Sequence, residues 1–78
     1  MLKNIKKNNY NLYYKADVID FGLPMFKLYT TPRNYYSQTR LKREKKITLN
    51  EEQVNNPHAF SQGKNGYYPV WDMNILCD

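Results

Sequence analysis

The sequence predicts a small irregular α+β fold: an extended chain with one short strand, one or two short helices and little independent core. Three observations lead there. Leu, Ile, Val and Phe together number 17 of 78 residues, close to the roughly 20% level below which highly charged chains stay disordered. The single cysteine, Cys77, and the single histidine, His58, exclude an internal disulfide and a structural zinc site, which takes about four Cys or His ligands. Turn residues interrupt the sequence about every ten positions, which favours short elements in an open trace. Chains of this size bury only about 60% of their unfolded surface, so order is expected to be borrowed from a partner.

Three regions follow from composition. Residues 1–16 form a basic N-terminal arm, with Lys3, Lys6, Lys7 and Lys15 preceding the first acid, Asp17. An acid-free basic start is compatible with an organellar import signal, although Arg and Ser are missing from it; a solvated basic tail is the other reading. Residues 17–56 carry the expected strand and helices. Between Met25 and Thr31, Phe26, Leu28 and Thr30 alternate with Lys27 and Tyr29, which suits a short strand with one covered face. Gly22 and Pro24 bracket its start as turn residues.

Thr31 followed by Pro32 reads as a helix start, because Thr caps and Pro tolerates the first helical position. The helix would run from Pro32 to about Lys46, and its apolar members Tyr35, Tyr36 and Leu41 do not share one stripe. A helix polar on all sides bridges other bodies or is unstable alone. Thr48-Leu49-Asn50-Glu51 matches a capping box for a short helix that Asn55-Asn56-Pro57 would end.

Residues 57–78 read as an extended aromatic C-terminal clip. Pro57 to Gly66 has the composition of a loop, and Asn65-Gly66 signals a turn before Tyr67-Tyr68-Pro69-Val70-Trp71. Pro69 argues against a central strand, so the tract is expected to dock into a partner's groove rather than on this chain's own strand. Ile75-Leu76-Cys77 would anchor the terminus in the same way.

The chemistry points to binding rather than catalysis. Ser61 and His58 lie three apart without a third group to orient them, Glu51 and Glu52 suit a helix start, and Ser-Gln-Gly-Lys-Asn-Gly lacks the spacing of a phosphate loop. No enzyme activity and no cofactor or metal is expected. Apolar runs are too short for a membrane span of about 20 residues, and peripheral membrane association stays open. The informative tract is Asn34 to Lys46; with Arg33 just before it, Arg33, Arg40, Lys42, Arg43, Lys45 and Lys46 stand against one acid, Glu44.

Tyr, Trp and Arg are the residues that anchor protein interfaces, so Arg33, Tyr35, Tyr36, Arg40, Lys42, Arg43, Tyr67, Tyr68 and Trp71 are the expected partner-binding residues. Arg40 and Arg43, three apart, would present two forked donors to a partner's carboxylates. The same cations beside tyrosine faces also suit phosphates and unpaired bases of RNA.

The segment Leu23 to Glu44 resembles a small matrix-side accessory subunit family of mitochondrial respiratory complex I that lacks a membrane span. The likeness rests on Leu23-Pro24, Lys27-Leu28, Asn34-Tyr35-Tyr36, Thr39-Arg40 and Lys42-Arg43-Glu44. It departs by extra residues on both sides of Asn34-Tyr35-Tyr36, by lacking a glycine after Pro24, and by Leu41 where the family carries Asp. The resemblance implies a mitochondrial, non-catalytic structural subunit that wraps along larger subunits of a respiratory-chain assembly and stabilises their contacts. Two alternatives are a small mitochondrial ribosomal protein that binds rRNA through the basic aromatic tract, and a phage-encoded inhibitor of a host protein.

Overall fold

The computed structural model describes Leu2 and residues 4–76. The described residues form four short helices and four short strands: α1 (Lys15–Phe21), β1 (Met25–Phe26), β2 (Tyr35–Tyr36), α2 (Gln38–Lys45), α3 (Glu51–Asn55), β3 (Ala59–Gly63), β4 (Gly66–Asp72) and α4 (Met73–Leu76). The α+β class stands, with more elements than the sequence reading counted. Strand order is β1-β3-β4-β2, with β1 parallel to β3 and the other pairs antiparallel.

The hairpin β3–β4 is the centre of the molecule. Gly63 faces Gly66 across a two-residue connection at Lys64-Asn65, one residue before the turn expected at Asn65-Gly66. Register then sorts side chains by face, because alternate residues of a strand point to opposite sides. Phe60 opposite Pro69 shares one face with Tyr67 and Trp71, while Ser61 opposite Tyr68, and Ala59 opposite Val70, lie on the other.

The first face carries both core clusters. Leu2, Tyr13, Val18, Phe60 and Tyr67 form one, with Phe21 stacked on Phe60 at 5.4 Å. Leu41, Leu49 and Trp71 form the other, joined by Tyr36, Ile47, Val54 and Leu76. The opposite face is crossed by the connection between β1 and β2, whose Thr31 hydroxyl meets the buried Ser61 hydroxyl.

The YYPVW tract is therefore part of this chain's own sheet, and its expected docking into a partner is corrected. Pro69 explains how. The Phe60 N–H donates to the Pro24 carbonyl on the β1 side, so Phe60 and Pro69 form a pair whose backbone groups point away from each other. The missing Pro69 N–H thus falls on the far edge of β4. There Tyr67 exchanges two backbone hydrogen bonds with Tyr13 at 2.8 and 2.9 Å, and Trp71 faces Tyr36 of β2. Proline occupies the gap between these two pairings, where it breaks no ladder bond.

Local boundaries shift for identifiable reasons. The expected strand stops at Phe26 because Lys27 to Thr30 turns, with Tyr29 at φ 65 and the Thr30 N–H donating to the Lys27 carbonyl. The helix start expected at Thr31-Pro32 moves to Ser37, since Tyr35 and Tyr36 are taken into the sheet and Thr31 is held by Ser61. The capping box moves two residues on. Asn50 and Gln53 cap each other's backbone amides, because Leu49 is drawn into the second core cluster.

The arm is not a solvated tail. Leu2 and Tyr13 are core residues, and the Leu2 N–H donates to the Asn55 carbonyl at 3.3 Å. Cys77 lies outside the described residues.

Candidate functional site: a cationic tyrosine groove

A groove of about 660 Å³ opens beside the sheet face that the helices leave uncovered. Its walls come from three places. Thr31, Pro32 and Arg33 belong to the connection between β1 and β2; Tyr35 to Ser37 and the first turn of α2 supply the second wall; Tyr68 and Val70 of β4 supply the floor. None of the described residues that line it is acidic. The volume is within the range of about 300–1,000 Å³ usual for ligand pockets.

Each wall is fixed by local chemistry. Tyr35 packs on Phe26 with ring centroids 4.9 Å apart, and the Tyr35 N–H donates to the Pro32 carbonyl. Ser37 caps α2 by accepting the Arg40 N–H at 3.3 Å. Leu41 is the buried residue of α2 and packs with Trp71, which holds an otherwise polar helix on the sheet. Lys42, Arg43 and Lys45 occupy its last turn, where cations complement the negative end of the helix dipole.

Arg40 is the most constrained cation. Its Nε and Nη2 donate to both oxygens of Glu44 at 2.7 and 3.1 Å, and its guanidinium lies 4.5 Å from the centre of the Tyr36 ring. Lys45 approaches the same ring at 5.5 Å. The hydrogen bond from Arg40, with help from Arg43, holds the Glu44 carboxyl well below the usual carboxylate range, at about 2. Reciprocally, the Glu44 carboxylate raises Arg40.

The expected partner-binding residues separate into two sets. Arg33, Tyr35, Tyr36, Arg40 and Tyr68 come together in the groove, and Lys42 and Arg43 stand exposed on the adjoining helix. Tyr67 and Trp71 do not belong. Both are buried inside this chain, and the Trp71 indole donates to the Gln53 carbonyl at 2.7 Å.

The expected pair of forks, Arg40 and Arg43, meets a carboxylate of this same chain. Glu44 takes the Arg40 fork and touches Arg43 at 3.4 Å. Thr31, Ser37 and Thr39 line the groove unforeseen; the sequence signal was Ser37, an N-cap residue directly after Tyr35-Tyr36.

His58 has a structural place. Its Nδ1 accepts the Asp72 N–H at 2.8 Å, tying the start of β3 to the end of β4. A second, smaller cavity of about 250 Å³ lies between the two core clusters, lined by Leu2, Tyr13, Val54, Pro69 and Trp71 with Lys7 and Glu51.

Among the described residues, no group of three His, Cys, Asp or Glu could hold a metal ion, and no helix is long and apolar enough to cross a membrane. Comparison of the chain with family models, with curated proteins and with solved structures finds no match.

Proposed function

We propose that this chain is a non-catalytic structural subunit that docks on larger protein subunits through the face around the cationic tyrosine groove. Its setting in this reading is a mitochondrial respiratory-chain assembly, as the resemblance of residues 23–44 to complex I accessory subunits implies. The observation that carries the docking is segregation of charge. Arg33 and Arg40 line a groove with three tyrosines and no acid, and Arg with Tyr is the pairing that anchors interfaces.

An rRNA-binding role is the second reading, and the exposed Lys42, Arg43, Lys45 and Lys46 beside the groove favour it. Base stacking needs open ring faces. Two of the three groove tyrosines have theirs engaged, Tyr36 by Arg40 and Lys45 and Tyr35 by Phe26. That difference ranks protein ahead of RNA.

Photocrosslinking residues placed at Arg33 and Tyr68 of the full chain in its native cells test the proposal. Crosslinks to hydrophilic subunits of a respiratory complex are expected. Crosslinks to rRNA would overturn it, and so would an oligouridylate affinity with a log K against log salt slope of about −3 to −4, the signature of some five phosphates met on a single strand.

A further inference from the structure

Among the described residues, Arg40 is the one groove cation whose fork is filled by a carboxylate of this same chain, and that carboxylate belongs to the only acid between Arg33 and Lys46 in the sequence. Both partners are solvent-exposed, with side chains 45% and 37% accessible, so the pair exchanges at little cost. Exposed pairs of this kind are weak because water competes for each charge. A carboxylate arriving from outside meets the same donor geometry that Glu44 meets now, with Arg33 also lining the groove to hold a second one.

We propose that the groove binds an acidic, extended segment of a protein partner, and that Glu44 is the internal competitor which that segment displaces from Arg40. The inference rests on the protein-docking reading and adds the chemistry of the docked segment. Charge complementarity selects the occupant: the lining offers two guanidinium groups, hydroxyls of Thr31, Ser37 and Thr39, and no acid. Forked Arg–carboxylate pairing supplies direction as well as charge. The Tyr36 ring, 4.5 Å from the guanidinium, gives Arg40 a second attachment that does not depend on Glu44.

The test titrates the full-length chain into a labelled poly-glutamate peptide and, in parallel, into labelled oligouridylate. Arg33→Ala and Arg40→Ala are each expected to weaken the peptide by about two- to fivefold, the strength of an exposed ion pair. Glu44→Gln is expected to tighten it about two- to fivefold, the strength of an exposed ion pair.

Asp20→Asn, on the distant α1, is the control for net charge alone and should tighten binding less than Glu44→Gln. Arg33 is on an exposed connection outside the helices, so its variant keeps the test valid if Arg40→Ala loosens α2. Equal effects of Glu44→Gln and Asp20→Asn would overturn the exchange while leaving protein docking intact. Oligouridylate bound more tightly than the peptide, with the same dependence on Arg33, would overturn protein docking itself.

Discussion

At the level of single residues, two positions carry strong expectations. Gly66 has φ +151, and a Cβ there would lie 2.8 Å from the Leu12 Cβ, 2.9 Å from the Asn8 Nδ2 and 3.1 Å from the Tyr13 carbonyl. The close approach exists because the Asn8 amide donates to the Asn65 carbonyl at 2.7 Å and so pins the arm to the hairpin turn. Gly66→Ala should destabilise the protein by about 1–3 kcal/mol; an unchanged urea midpoint would refute the close approach. Glu44 makes the second. Its carboxyl is depressed below the ordinary range by Arg40, so its small contribution to stability is present above that range and is lost as pH falls through the lowered midpoint. A carbon-detected NMR titration should place the Glu44 midpoint below the ordinary carboxylate range, and Arg40→Ala should return it to that range. A Glu44 midpoint already at the ordinary value in the native chain would contradict the pairing.

At the level of elements, what the sequence discloses depends on whether local chemistry or tertiary pairing decides. The turn at Lys64-Asn65, one residue before the Asn65-Gly66 signal, the end of α3 at Asn55-Asn56-Pro57 and the basic close of α2 are local and readable as such. Strand β3 was not. Ala59 to Gly63 contains a single large apolar residue, Phe60, and reads as loop; it becomes a strand because β1 and β4 flank it on both sides. Helix α1 was missed for a similar reason, although Gly22 at φ 69 as its C-cap was a usable signal. The groove was half legible: its arginines and tyrosines stood out, while Thr31 and Pro32 resembled a helix start. Placement of α3 is the clearest tertiary effect, since the Trp71 indole holds its Gln53 carbonyl. Trp71→Phe retains most of the packing and loses that bond, so it should cost about 1–3 kcal/mol. Hydrogen exchange should show α3 amides losing protection first, and uniform loss across the sheet would refute the indole's role as the tether.

At the level of the whole molecule, the expectation of an extended trace fails on dimensions. The radius of gyration is 11.9 Å, against about 11.5 Å for a compact domain of this length. Counting aliphatic residues misled because Tyr13, Tyr67 and Trp71 take core positions, and because the basic arm contributes Leu2 and Tyr13 to the first cluster. Both ends of the arm are thereby tied to the fold, Leu2 to Asn55 of α3 and Tyr13 to Tyr67 of β4. The isolated protein should therefore melt in one cooperative transition, contrary to what the composition implied. The arm is the decisive part. A domain of this size has a stability of about 4–12 kcal/mol at 0.05–0.15 kcal/mol per residue, and removing two buried side chains forfeits about 3–6 kcal/mol before the paired backbone bonds of Tyr13 are counted. A chain lacking residues 1–14 should accordingly show no sharp thermal transition by circular dichroism. A truncated chain that melts as sharply as the full one, within about 5 °C, would mean that the arm only rests on the fold, since about 1 kcal/mol already moves the midpoint of such a domain by about 4–8 °C.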